Sequence, residues 1–237
     1  MQNQDLRKTL RVLVIGGRPF EVEACCGGTL SLLGKNHEIT IAHVTSGNLS
    51  QHDIDPWQIS KKLAEEAAES AQILDCSLIM LEQSDFTVGD DPVTTLQLVE
   101  LIRSVKPEIL FTHNPCSHHS DHKNIAQQVL KAGEMSTVNG VEGGPTLLTP
   151  PAIFAIDALP PNSIIPDTYV DISSVLNIKK DLLSKFESAQ KHAQLHNKME
   201  TTLAYDTLSA YRGLEACCPH AEGFRQLTGS KVTRLLP

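Results

Sequence analysis

Between Thr112 and His122 the chain reads Thr-His-Asn-Pro-Cys-Ser-His-His-Ser-Asp-His, which gathers four of its ten histidines and an aspartate within eleven residues. Neutral imidazole is the commonest protein metal ligand, and a carboxylate beside it can fix its tautomer and orientation. A lone histidine in a polar loop is a solvated side chain. His119-x-x-His122 with Asp121 between them is denser than that, and it presents the donors of a metal or acid-base site. His113 and His118 are two further imidazoles within reach of the same cleft.

The elements around the cluster fix where it must sit. Glu108–Phe111 is a short apolar run that reads as a strand, and Lys123–Leu130 repeats its apolar residues at helical spacing. The cluster therefore occupies a strand-to-helix loop at the carboxyl end of a strand, where open α/β sheets place their ligands. The same alternation runs through the first half of the chain. Strands are predicted at Leu10–Ile15, Glu38–Val44 and Leu78–Leu81, with helices at Ala24–Leu33, Ile59–Leu74 and Thr94–Val105. Gly27 and Gly28, early in the first helix, permit close backbone approach. This succession predicts an α/β, Rossmann-like fold: a mostly parallel sheet with right-handed crossovers and helices on both faces.

Beyond Leu130 the pattern loosens. Residues 140–151 hold three glycines and three prolines and read as a surface loop. Ile153–Ile156 and Thr168–Ile172 read as strands, Asn177–Met199 as the longest helix, and Thr207–Leu214 and Ala221–Leu227 as short closing helices. Residues 1–237 are expected to form a single domain, since α/β domains of this length are often undivided.

Composition excludes several classes of function. Against 20 basic residues stand 28 acidic ones, a net charge of −8, and no Lys/Arg stripe interleaves with aromatics. Nucleic acid is not an expected partner. The six cysteines lack zinc-ribbon or secreted-framework spacing, and no run of about 18 apolar residues exists to span a membrane. The expectation is a cytoplasmic protein without membrane insertion.

Two stretches carry a resemblance. Val14-Ile15-Gly16-Gly17-Arg18-Pro19-Phe20-Glu21-Val22-Glu23 followed by Gly27-Gly28-Thr29 resembles the opening of the LmbE/PIG-L family of zinc-dependent N-deacetylases, whose pattern is Ala-His-Pro-Asp-Asp-Val-Glu and then Gly-Gly-Thr. His119-Ser120-Asp121-His122 resembles the family's His-Pro-Asp-His. Tyr169–Ser173, the helix after Lys179, Tyr211-Arg212-Gly213 and Ala221–Phe224 are similar to its carboxy-terminal signatures, so the likeness runs from about Leu10 to Phe224. It implies zinc as cofactor, a small-molecule partner of the N-acetylated sugar type, removal of that N-acetyl group by a metal-bound water, and self-assembly as a homo-oligomer. By position it implies Arg18, Glu21 and His122 at the metal, Phe20 at the general base, His119 stabilising the oxyanion or protonating the leaving amine, and Asp121 orienting His119.

Two of these positions depart from the family. Arginine keeps its charge and has no lone pair to offer, so Arg18 cannot replace a histidine ligand. Phe20 has no ionisable group, and losing a positioned base costs on the order of 10²- to 10⁴-fold in rate. Glu21 keeps the carboxylate with a longer reach. Three readings follow. A metal hydrolase would use Glu21 and His122 with a third ligand from His113, His118 or His119, and Glu23 or metal hydroxide as base. A catalytically silent binding or assembly protein would need no cofactor, with Arg18 replacing the metal's charge and pairing with Glu21. The third is a different chemistry, without zinc, in the same cleft.

The remaining candidates read mainly as structural. Trp57 and residues 53–56 could cover the cleft, but a lone tryptophan more often serves packing, and Cys25 and Cys26 read as inert buried thiols. Asp85-Phe86 follows a strand end and reads either as a neighbour of the site or as a turn with a core anchor. Arg212-Gly213 and Glu222 are expected to tie the carboxy-terminal segment to the core.

Overall fold

The computed structural model describes residues 9–51, 53–159, 164–191 and 200–229. Seven strands form one sheet in the order β3-β2-β1-β4-β5-β7-β6. They are β1 (Arg11–Gly16), β2 (Glu38–Thr45), β3 (Ser77–Gln83), β4 (Ile109–Thr112), β5 (Ala152–Ile156), β6 (Thr168–Asp171) and β7 (Ala221–Thr228). The first five run parallel, and β7 is antiparallel to both β5 and β6. The helices are α1 (Glu21–Leu33), α2 (Pro56–Leu74), α3 (Pro92–Val105), α4 (Ser120–Met135), α5 (Leu176–Ser184) and α6 (Thr201–Ala216). The expected α/β architecture, mostly parallel with both faces covered, is the observed one.

Strand β1 lies at the centre, and its residues alternate between two cores as the pleat requires. Val12 and Val14 enter a cluster built with α1, α5 and α6. Leu13 and Ile15 enter a second cluster built with α3 and α4. Helix α1 is buried almost throughout, which its glycines permit: a Cβ on Gly27 would meet Leu182 at 3.1 Å and one on Gly28 would meet Ile172 at 2.8 Å. Glu222 of β7 reaches the same place, accepting the amides of Gly28 and Thr29 at 3.0 and 2.7 Å and pairing with Lys179 at 2.8 Å. The close approach anticipated at Gly27-Gly28 is thus occupied by Leu182, Ile172 and a buried carboxylate.

Helices α2 and α3 begin three and two residues earlier than their apolar periodicity suggests. Asp55 and Asp91 cap them, with proline at the first helical position where no amide partner is needed. Three expectations at the carboxy-terminal end are corrected. The helix expected over Asn177–Met199 stops after Ser184, and a second helical segment begins at Glu187; residues 192–199 lie outside the described residues. The break follows from tertiary partners. Phe186 is fully buried against Phe20, and the Ser188 amide donates to Glu66 at 3.1 Å instead of continuing a helical ladder. Ala221–Leu227 is the strand β7, held by pairing with β5 and β6, and not a helix. The helix expected over Thr207–Leu214 extends over Thr201–Ala216 and ends at Cys217 in the left-handed region, φ 56°. No described helix is long and apolar enough to cross a membrane.

The glycine- and proline-rich segment after α4 carries no helix or strand, as expected, and an unanticipated residue fastens it. Arg103, 1% exposed, donates to the carbonyls of Met135, Ser136, Val138, Val141, Glu142 and Gly144.

Candidate metal centre and cleft

Strands β1 and β4 are neighbours, yet the chain leaves β1 toward β2 and β3 on one side and resumes at β4 on the other. Their carboxyl ends mark the topological switch point of the parallel sheet. The loop after β1 brings Gly17 and Arg18 there and leads into Glu21 at the start of α1. The loop after β4 brings His113 and His119, and the first turn of α4 adds Asp121 and His122.

Glu21, His113 and His122 converge, each offering a ligand atom within 4.8 Å of the others. Glu21 Oε1 lies 2.9 Å from His122 Nε2, and Glu21 Oε2 lies 3.4 Å from His113 Nε2. Gly17 makes this convergence sterically possible, since a Cβ there would lie 2.6 Å from Glu21 Oε2 and within 3.6 Å of His122. The Gly17 amide donates to His113 Nε2 at 2.8 Å, which fixes that nitrogen as an acceptor. His113 therefore has no proton on Nε2 to give Glu21. Glu21 Oε2 and His122 Nε2 are buried with no hydrogen-bond partner.

Four flat rings stand in a row across the loop. His113 stacks on His122 at 3.9 Å and 4°, His122 on His119 at 4.4 Å and 27°, and His119 on Phe86 at 5.3 Å and 30°. Burial and the neighbouring His122 push the His113 imidazole down to about 4. The same two causes lower His119. Burial would raise the Glu21 carboxyl, but His122 and Arg18 outweigh it and hold the group well below the usual carboxylate range. Arg18 donates from Nε to Glu21 Oε1 at 2.9 Å. Burial works against its charge, yet Glu21 and Asp85 raise its pKa on balance.

A cavity with free volume of about 10 Å³, room for one water or ion, is lined by Arg18, Glu21, His119, Asp121, His122 and Phe86, and also by Gly17, Thr45 and Asp85. Asp85 is buried, its two oxygens accepting the amides of Gly47 and Leu49. Thus Asp85-Phe86 belongs to the cleft. Asp121 does not hydrogen-bond His119 as expected: its Oδ2 accepts the Phe86 amide at 2.7 Å, while its Oδ1 and His119 Nδ1 are both without partners. His118 is exposed and does not line the cavity. His113 lies behind the cleft wall, 1% exposed, in the metal-type group.

Phe20 also lies outside the cavity lining. It occupies the N-cap of α1 at φ 92°, a sparsely populated conformation that costs a non-glycine residue roughly 1–3 kcal/mol, and its ring packs edge-on against Phe186 and Tyr205. Glu23 is not free to act as the missing base. It is 1% exposed, and its oxygens take the Phe20 amide at 3.0 Å and His43 Nε2 at 3.1 Å. His43 gave no signal in sequence because its partner lies on another element.

The donor set suits a divalent ion in type, a carboxylate and imidazoles. Glu21 Oε2 and His122 Nε2 make no hydrogen bond; His122 Nε2 offers a lone pair to an ion in the ring's Nδ1-protonated tautomer, and His113 becomes the third donor on releasing the Gly17 amide.

Residues 21–133 match the family model described as PIG-L: GlcNAc-PI de-N-acetylase. The match spans just under half of the chain. A curated relative, the 4-oxalmesaconate hydratase of Pseudomonas putida KT2440, is 27% identical over 131 residues, 54% of this chain and 50% of that protein. The chain thus matches about half the length of that relative. The structure of the 4-carboxy-2-hydroxymuconate hydratase GalB from the same organism aligns with TM-score 0.83 and 20% identity over 94% of this chain and 98% of that one. The N,N'-diacetylchitobiose deacetylase of Pyrococcus horikoshii aligns with TM-score 0.79 and 18% identity over 91% and 83%. The fold of this chain is thus shared by a hydratase and a deacetylase.

Proposed function

We propose that the protein is a metal-assisted hydrolase of the PIG-L type that delivers water to a small-molecule carbonyl, the N-acetyl group of an amino-sugar derivative being its target. The observation that carries this reading is the buried, unpartnered pair Glu21 Oε2 and His122 Nε2, facing a cavity with room for a single ion or water. Glu21 and His122, with His113 as third donor, would hold a divalent ion such as zinc, which supplies a Lewis acid for the carbonyl and an acidified water. Glu21 stays ionised through the neutral range and anchors that end of the cavity. His119 is half-buried and borders the cavity, and burial beside His122 favours its neutral form, so it takes a proton from the attacking water and returns it to the leaving amine. Asp121 holds the Phe86 turn against His119.

The test is metal content of protein purified without added metal, followed by acetate release from a panel of N-acetylated amino sugars. Stoichiometric metal with turnover, both lost in His122→Ala, is the expected result. No metal and no turnover returns the protein to the silent reading, in which Arg18 alone satisfies Glu21.

A second reading has a specific observation behind it. Phe20 stands where a carboxylate base is expected and packs away from the cavity. Addition of water to a conjugated double bond needs no amine to leave, and the relatives of known sequence and structure include hydratases. Loss of diene absorbance, with no acetate released, distinguishes this chemistry.

A further inference from the structure

Two groups at the mouth of the cleft have no part in the water chemistry above. Arg18 gives its Nε to Glu21, and among the described residues its two terminal amino groups have no hydrogen-bond partner. Its side chain is 33% exposed. A guanidinium gripped by its Nε edge presents the Nη1/Nη2 fork, whose spacing matches the two oxygens of a carboxylate. Opposing charge at the cavity is engaged in part, with Asp121 Oδ1 and Glu21 Oε2 left open. Asp85 is taken by two amides, Asp121 Oδ2 by the Phe86 amide, and Glu21 Oε1 by Arg18 itself. A divalent ion on Glu21 and His122 would balance the remaining excess negative charge and leave Arg18 as the cation facing the rim.

Phe86 is the second group. The residue is 65% exposed although it lines the same cavity, and its backbone is in the left-handed region, φ 62°, unusual for a bulky residue. The buried Asp121 carboxylate holds it there through the Phe86 amide. The ring closes the row of stacked imidazoles and leaves an aromatic surface toward solvent. An exposed aromatic held in a costly conformation at a cleft mouth is a reason to look for what lies on it. The cavity itself is too small for a whole substrate, so the body of any substrate rests at this rim.

We propose that the cleft selects substrates carrying a carboxylate joined to a flat, conjugated segment, with the carboxylate held by the Arg18 fork and the flat face laid on Phe86. The proposal rests on the second reading of the cleft, addition of water to a conjugated double bond, and it is tested by binding rather than turnover. Sorbate, its neutral amide sorbamide and saturated hexanoate are titrated calorimetrically into the full-length protein, with one equivalent of zinc and again after chelation. Sorbate is expected to bind the zinc-supplemented wild type at least tenfold more tightly than either control. Arg18→Gln should abolish the preference over sorbamide and leave sorbamide affinity unchanged, and Phe86→Ala should abolish the preference over hexanoate. If Arg18→Gln fails to fold, Arg18→Lys keeps the charge opposite Glu21 but lacks the fork, and should reduce the preference threefold or more. Equal affinity for sorbate and sorbamide, no binding of sorbate, or a carboxylate preference undiminished in the Arg18 variants overturns the proposal. Zinc stoichiometry is read in parallel: zinc bound without sorbate selection sinks this proposal alone, whereas sorbate selection without zinc binding sinks only the metal reading.

Discussion

Arg18 Nε and Glu21 Oε1 stand 2.9 Å apart where the loop after β1 enters α1, so the residue that departs furthest from the family pattern is joined directly to the carboxylate that keeps to it. Removing one partner strands the other in a partly buried setting. Glu21→Ala is expected to lower stability by about 1–3 kcal/mol, below the range for a fully buried pair because Arg18 retains solvent contact. Urea denaturation measures it. A double variant, Arg18→His with Phe20→Asp, supplies an imidazole and a carboxylate where the family has them, and should tighten zinc binding tenfold or more by competitive chelator titration.

The three candidate donors are not equivalent. His122 Nε2 is open, whereas His113 Nε2 already accepts the Gly17 amide. His122→Ala should abolish stoichiometric zinc binding, while His113→Gln, whose amide oxygen can accept the same Gly17 amide, should weaken it by a smaller factor. Gly17→Ala is expected to act like His122→Ala without touching a donor, because the new Cβ would lie 2.6 Å from Glu21 Oε2. Equal losses for His113→Gln and His122→Ala in calorimetry would contradict this ordering.

Acid should destabilise the metal-free protein in a defined window. The His113 pKa falls from its ordinary 6.5 to about 4 in the folded state. The unfolded chain therefore binds that proton first, and stability present above pH 6.5 is lost as pH falls toward 4, by roughly 3 kcal/mol in total. Glu21, depressed well below 4.5, adds a loss of the same sign that begins below that value. Urea midpoints taken with chelator between pH 7.5 and pH 4.5 should fall, and His113→Gln should flatten the slope.

Much of this was legible in the sequence. The alternation of Val12, Leu13, Val14 and Ile15 between two cores, and the helical spacing of α2 and α3, are local properties of the chain. So were the two loops that meet at Glu21 and His122. What escaped depends on partners distant in sequence. Ala221–Leu227 has a composition compatible with either state, and only β5 and β6 make it a strand. Phe186 and Ser188 break the expected long helix for the sake of Phe20 and Glu66. Asp121 has helical neighbours that suggest His119 as its partner, yet its carboxylate serves a turn 35 residues away.

Buried polar groups of this kind set the remaining expectations. Arg103→Leu leaves six carbonyls without their donor and should cost about 3–5 kcal/mol. Glu23→Ala strands the Phe20 amide and His43 and should cost about 2–4 kcal/mol. Both losses are expected to be purely structural, so substrate affinity in the folded fraction, measured by calorimetry, should be unchanged for Arg103→Leu.

The carboxylate of Glu222 grips the middle of α1 from β7, across almost two hundred positions of the chain. A fragment cut to the segment that the family model matches, 21–133, would retain Glu21, His113 and His122 but lose both this grip and β1, beside which Glu21 is set. The donors of the site are thus close in space but depend on the two extremes of the described chain. Minimising or transplanting the centre would require carrying the sheet's antiparallel edge along with it.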